Sequence, residues 1–170
     1  MTTPVTAYLA LGSNLSDPVA QLVKARAAIE VMPGVAVVRA SSLYQSPAWG
    51  GDEPQPDYVN AVLVIQTTLS ARDLWLATSR IEAAQGRVRN GARNAARTLD
   101  IDLLLFGDAA IHTSELTLPH ARMHERDFVL MPLVEVAPDA VIAGHGSARS
   151  CLRRIAPTPI KKLRHNSAWN

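Results

Sequence analysis

Four arginines fall within residues 87–97, in the stretch RVRNGARNAAR, and two aspartates, Asp100 and Asp102, follow at once in TLDID. A solvated helix face intermixes its charges. This stretch puts the cations first and the anions last, then runs into the apolar LLLF of 103–106. On a β-strand Asp100 and Asp102 share a face with their side-chain bases about 7 Å apart, while Ile101, Leu103 and Leu105 point the other way into a core. Two carboxylates so held repel each other unless a cation joins them. They read either as a Mg2+ site with room for phosphate oxygens and water, or as a solvated edge strand that carries two acids. The guanidinium forks of Arg87, Arg89, Arg93 and Arg97 match phosphate oxygens bidentately. Cations on phosphate beside carboxylates on metal are what phosphoryl transfer needs. A nucleic-acid backbone is the other use for such a loop, but it has no need of two adjacent carboxylates. The stretch reads as a site for a nucleoside triphosphate with its magnesium ions.

A second constellation is aromatic and amide. Tyr58 and Asn60 share a strand face beside a loop, 46–57, that holds Ser46, Pro47, Trp49, three prolines in all and two glycines. A flat heteroaromatic ligand could stack on the ring while the amide reads its edge; core packing for Tyr58 and a strand-end role for Asn60 explain the spacing equally well.

These side chains need a scaffold. The chain has 170 residues, 48% hydrophobic and 19% charged, with a net charge of +2, which fits one globular domain over 1–170 and excludes a disordered chain. The lone cysteine, Cys151, excludes an internal disulfide and suits a reducing compartment. The first residues lack the basic start of a signal peptide, and no apolar run approaches the ~18 residues of a membrane span. A cytoplasmic monomer with no membrane or nucleic-acid partner is expected.

Residues 5–11 are β-like and are expected to stop at the turn signal of Gly12, Ser13 and Asn14. Asp17 and Pro18 read as N-cap and first helical residue, with Leu22, Ala25, Ile29 and Met32 at helical spacing. A second strand is expected over 35–44, and a third over 58–67 with Tyr58, Asn60, Val62 and Val64 on one face and Val59, Ala61, Leu63 and Ile65 on the other. Ser70 and Asp73 form a capping-box pattern ahead of a helix whose buried stripe is Leu74, Ala77, Ile81 and Ala84. A strand over 98–106, a hairpin-like excursion to Leu118, Pro119 and His120, a helix over 125–136 and a short helix near 147–155 complete the chain. The order β-α-β-β-α-β predicts an α+β, ferredoxin-like sandwich with an antiparallel sheet, helices packed on it and C-terminal additions.

Seven collinear segments carry a resemblance: ALGSNL (10–15), SSLYQSPAWG (41–50), PDYVNAV (56–62), RIEAAQGRVR (80–89), ARTLDIDLLLF (96–106), LTLPHARMHERDFVLMPL (116–133) and EVAP (135–138). Together they resemble the 6-hydroxymethyl-7,8-dihydropterin pyrophosphokinase family of folate biosynthesis. The resemblance implies a ferredoxin-like fold and transfer of the β,γ-pyrophosphoryl group of ATP to the pterin hydroxymethyl oxygen, with release of AMP. By matching position it implies Asp100 and Asp102 as catalytic ligands of two Mg2+ ions, and Arg87 and Arg97 as catalytic phosphate contacts. It implies Glu82, Arg89, Arg93, Thr117, His120, Arg126 and the backbone of Leu103 as ATP-site positions. The pterin would meet Ser46, Pro47, Ala48, Trp49, Tyr58, Asn60 and Phe128. His112, His124, His145 and His165 gain no role from it; Arg122 and the KKLRH of 161–165 read as solvated charges.

The chain departs from the commoner family pattern at Asn94, at Ala95 and Ala96, at Glu115, at Ala121, where an aromatic side chain often follows the histidine, and at Trp49. None of these is an aspartate of the pair or either catalytic arginine, so an active enzyme with altered ATP affinity is expected. The rival reading is a ferredoxin-like nucleic-acid-binding module using the arginine loop, although tyrosine and phenylalanine together number only five for base stacking.

Overall fold

The computed structural model describes residues 2–48, 54–86 and 98–170; Trp49 and the four loop arginines lie outside them. Strand β1 (Val5–Ser13) runs two residues past its expected stop, because Gly12 and Ser13 pair with Asn60 and Val59 and so extend the ladder instead of turning. The turn comes later, at Ser16 and Asp17, both at positive φ. Asp17 caps helix α1 (Pro18–Glu30) by accepting the Ala20 N–H, Pro18 fills the first turn, and Leu22, Ala25 and Ile29 are buried.

The single strand expected over 35–44 is two, β2 (Val35–Ala40) and β3 (Tyr44–Ser46), both paired with β4 (Tyr58–Thr67). The break begins at Ser41. Its N–H donates to the Val62 carbonyl at 2.9 Å, but its hydroxyl, not its carbonyl, accepts the Val62 N–H at 2.9 Å. A side chain thus replaces a ladder carbonyl, and the backbone is released from the sheet.

In α2 (Ala71–Ala84) Ser70 accepts the Asp73 N–H, as the capping pattern predicts, but the buried stripe is Ala71, Leu74, Thr78 and Glu82. Ala84 is exposed and Ala77 and Ile81 are half-buried. The stripe shifts because its polar members are bonded: Thr78 donates to the Trp75 carbonyl at 3.0 Å and Glu82 accepts a backbone N–H, so both can be buried cheaply.

Strand β5 (Asp100–Phe106) pairs with β1, and a register shift between Tyr8 and Leu9 interrupts the alternation. Ile101 and Leu103 face one core cluster as expected, but Leu105 joins Leu104 in the other. A short ribbon follows, β6 (Ile111–His112) with β7 (Thr117–Leu118), then a 3-10 turn (Met123–Glu125). Helix α3 (Asp127–Val136) starts later than 125 because Arg126 is extended at its N-cap. The ribbon β8 (Val141–Ile142) and β9 (Gly146–Ser147), helix α4 (Ala148–Arg153) and strand β10 (Lys161–Lys162) complete the described elements.

The main sheet runs β10-β3-β4-β1-β5, with β2 also on β4, and every pairing in it is antiparallel. Val59, Ala61, Leu63 and Ile65 pack toward α1 and α2; Val62 and Val64 pack toward α3 and α4. The fold is α+β, with helices covering both faces of the antiparallel sheet.

Two C-terminal features depart from the sequence reading. Lys161 and Lys162 are exposed but form β10 on the edge of β3, and Leu163 packs on the core. Trp169 is 2% exposed, and its indole N–H donates to the Ser41 carbonyl at 2.8 Å. It therefore satisfies the carbonyl that the β2–β3 break takes out of the ladder.

Glu135, near the end of α3, ties that helix to the same break. Its carboxylate accepts the Ser42 N–H at 3.0 Å, the Ser42 hydroxyl at 2.7 Å and the Tyr44 hydroxyl at 2.5 Å. Burial alone would raise its pKa; the Tyr44 and Ser42 hydrogen bonds, with the Lys162 charge, outweigh burial and hold the carboxyl below the usual glutamate value. Such a group adds stability above its unfolded pKa, and that stability is lost as pH falls through the lower folded value. Glu135→Gln is expected to lower stability at pH 7 by about 1–3 kcal/mol, with the deficit shrinking once pH drops below about 4. Urea midpoints at pH 7 and in acid check this; the same deficit at both pH values would refute it.

Candidate active site

Strands β4, β1 and β5 lie side by side where β1 ends. Gly12 pairs with Asn60 of β4 on one side and with Asp100 of β5 on the other. A Cβ on Gly12 would come within 3.3 Å of Asn60 Oδ1 and 3.7 Å of the Tyr58 ring. Glycine at this position keeps the floor open below a cavity of about 290 Å³.

Asp100 and Asp102 alternate along β5, are half-buried and both line this cavity. Between them the Ile101 N–H donates to Glu82 Oε2 at 3.0 Å, and Glu82 is 4% exposed. Glu82 lines the cavity too, and its hydrogen bond fastens the strand at the residue separating the two aspartates. Strand β5 is indeed an edge of the main sheet, but its two aspartates are half-buried against the cavity and do not stand in open solvent.

At the other end, Tyr58 lines the cavity half-buried instead of filling the core. The Asn60 amide, 6% exposed, donates to Ser46 Oγ at 2.8 Å, which orients the amide within the sheet. Phe128 at the start of α3 and Pro47 complete this aromatic end. Asn14 steadies the adjoining loop by donating to Gln55 Oε1 and the Pro56 carbonyl, each at 3.1 Å.

His120 and Arg126 enter from the segment after β7. The His120 pKa is pushed down to about 4, first by burial, then by the Arg126 and Arg122 charges, against the pull of Asp100. The ring is neutral near pH 7, so its Nε2, 3.7 Å from Asp102 Oδ2, makes a polar contact and not an ion pair. Its Nδ1 accepts the Arg122 N–H at 3.2 Å, which leaves the ring proton on Nε2, toward Asp102. Burial lowers the Arg126 pKa, while the Asp102 and Asp100 charges oppose that shift; its guanidinium carbon lies 5.7 Å from the centre of the Phe128 ring.

A second cavity of about 220 Å³ opens beside the first, and Asp102, His120, Ile101 and Trp75 line both. Leu103, Thr117 and Ala121 line only the second. The structure thus gathers Ser46, Pro47, Tyr58, Asn60, Glu82, Asp100, Asp102, His120, Arg126 and Phe128 around one cavity, with Leu103 and Thr117 at its neighbour. Ala48, half-buried, lines neither. Trp49, Arg87, Arg89, Arg93 and Arg97 lie outside the described residues. Sequence reasoning missed Gly12, read as a turn, and Trp75. A glycine within an apolar strand is itself a signal of close approach; a tryptophan on a helix carries no comparable signal.

A family model described as 7,8-dihydro-6-hydroxymethylpterin-pyrophosphokinase (HPPK) matches residues 8–138. The 2-amino-4-hydroxy-6-hydroxymethyldihydropteridine pyrophosphokinase of Haemophilus influenzae is 45% identical over 159 residues, 94% of this chain and 98% of that protein. Its namesake from Methylorubrum extorquens is 41% identical over 157 residues, 92% and 98% of the two chains. A crystal structure of Plasmodium falciparum HPPK-DHPS matches with a TM-score of 0.71 at 12% identity, over 90% of this chain and 46% of that one, and so shares the fold. The molecule is an enzyme of the pyrophosphokinase class. The chain belongs to the 7,8-dihydro-6-hydroxymethylpterin-pyrophosphokinase family. Nothing in these likenesses supports a nucleic-acid-binding module.

Proposed function

We infer that this chain transfers the pyrophosphoryl group of ATP to the hydroxymethyl oxygen of 6-hydroxymethyl-7,8-dihydropterin, a step of folate biosynthesis. The new bond joins that oxygen to the β-phosphorus, the bond between the β-phosphorus and the bridging oxygen to the α-phosphate breaks, AMP leaves, and the hydroxyl proton passes to solvent. The observation that carries this reading is the pair of cavities sharing a wall at Asp102 and His120. One has an aromatic and amide end suited to a pterin; the other suits the nucleoside part of ATP.

Asp100 and Asp102 offer hard carboxylate oxygens. Among the described residues no group of three or more His, Cys, Asp or Glu could hold a metal. The pair therefore fits a cation that completes its shell with phosphate oxygens and water, as Mg2+ does. Two Mg2+ ions held there would neutralise the charge of the transferring phosphates. Tyr58 and Phe128 would stack on the pterin while Asn60, held by Ser46, reads its edge. Arg126 would bind phosphate oxygens, with Arg87, Arg89, Arg93 and Arg97 from the 87–97 stretch. His120, a neutral donor, and Thr117 would contact the nucleotide. The residues' main work is to hold the hydroxyl and the β-phosphorus in line and dry.

The order β5-β1-β4-β2 supports the ferredoxin-like reading. The packing of Trp169 into the core supports one domain over 1–170. The free, buried Cys151 is compatible with a reducing cytoplasm, and a monomer is our reading of the assembly. Among the described residues no helix is long and apolar enough to cross a membrane.

The test is incubation with ATP, Mg2+ and the pterin, with AMP and ADP separated by chromatography. AMP formed in step with pterin diphosphate supports the reading; ADP would overturn it. A side chain on Gly12 would press on Asn60 Oδ1 and the Tyr58 ring, so Gly12→Val is expected to weaken pterin binding about 10–100-fold. Binding of a non-hydrolysable ATP analogue should change far less. Calorimetric titration with each ligand checks this, and equal losses for both would refute it.

A further inference from the structure

We propose that Trp75 is the platform on which the nucleotide base stacks, and that it sets the preference of this site for a nucleoside triphosphate over bare triphosphate. The proposal rests on the nucleotide reading given above. The second cavity has apolar walls from Ile101, Leu103 and Leu116, none of which is flat. Ala121 contributes only a methyl group there, from the segment that follows His120. Among the described residues lining that cavity, Trp75 is the only indole or benzene ring.

Its position suits the task. Trp75 projects from the first turns of α2, is half-buried, and lines both cavities. A nucleotide with its phosphates at the aspartates would extend its base past Asp102 and His120 along the indole. The helix around Trp75 is secured on both sides: its carbonyl accepts the Thr78 and Ser79 hydroxyls at 3.0 and 2.9 Å, and Arg72 pairs with Glu115 on the cavity rim at 3.0 Å. A base laid on an aromatic face gains about 1–3 kcal/mol, roughly a 5- to 150-fold change in affinity. A rigid indole gives this with little ordering cost.

The experiment compares equilibrium binding of ATP and of inorganic tripolyphosphate, each with Mg2+, to the parent chain, Trp75→Leu, Trp75→Phe and the double variant Trp75→Leu/Ala121→Tyr. In Trp75→Leu, ATP affinity should fall about 10- to 100-fold while tripolyphosphate affinity stays within about twofold. Trp75→Phe should retain most of the preference, and Ala121→Tyr should restore part of it by returning a ring to the same cavity. General damage to the site would lower both ligands together and would overturn the proposal. A Trp75→Leu variant that still favours ATP as the parent does would also overturn it, leaving the nucleotide reading intact. A parent chain that does not distinguish ATP from tripolyphosphate would sink both. Because Trp75 is half-exposed, Trp75→Phe keeps enough apolar surface to fold if Trp75→Leu does not, and its ratio alone then decides.

Discussion

Asp102→Ala is expected to reduce AMP formation by about 10²–10³-fold, the usual cost of removing one preorganised charged group from a transition-state site. Asp102 should matter more than Asp100. Both line the first cavity, but only Asp102 also lines the second, so under the proposed function it stands between the acceptor and the triphosphate. The loss should not arise from unfolding. The Asp102 side chain is 30% exposed, and removing one of two neighbouring like charges relieves repulsion, so the thermal midpoint should hold or rise slightly. Asp102→Asn keeps the shape and removes the charge; it should be nearly as impaired, which separates charge from packing. AMP quantified by chromatography beside a melting curve decides. Activity within tenfold of the parent, in a variant that melts normally, would remove Asp102 from the chemistry.

The largest stability effect is expected at Trp169. Trp169→Ala should cost about 3–5 kcal/mol, the range for emptying a buried tryptophan site. The ring packs in the cluster that holds α1, α2 and one face of the sheet. Its loss would also strand the Ser41 carbonyl, which otherwise accepts the indole N–H. Arg26 loses the ring as well, which lies 5.1 Å from its guanidinium carbon, although the Trp169 backbone carbonyl that accepts from it stays in place. Trp169→Phe should recover much of the packing but not the hydrogen bond, giving an intermediate deficit. Urea denaturation measures all three chains. A Trp169→Ala deficit below about 1 kcal/mol would mean that the C-terminal segment does not hold the core.

What could be read from the sequence was set locally. Asp17 with Pro18 marks the start of α1, Ser70 marks the start of α2, and the alternation of β4 assigns its side chains to the correct core clusters. What escaped depends on partners distant in the chain. The strand-forming residues of 35–44 gave no sign that the Ser41 hydroxyl would replace a ladder bond with Val62. Leu105 was assigned to the wrong cluster because the irregularity that turns it arises in its pairing with β1. Trp169 lies 128 residues from the carbonyl it satisfies, and no periodicity announces such a bond. In the site, charge and amide chemistry were legible: Asp100, Asp102, Tyr58 and Asn60 all line one cavity. The resemblance names Glu82 as an ATP-site position, but neither its burial nor its hydrogen bond to Ile101 was legible, because both depend on how α2 packs against β5.

The position of β10 also bears on how the molecule behaves among copies of itself. An uncovered sheet edge offers N–H and C=O groups to any strand that drifts alongside, and edge-to-edge growth begins there. β10 lies across the edge of β3 and is made of Lys161 and Lys162, both exposed. A strand from another molecule adding at this point would have to lie beside two ammonium groups and strip water from them. The last short strand of the main sheet thus meets this edge with charge, which disfavours the addition of a further strand there.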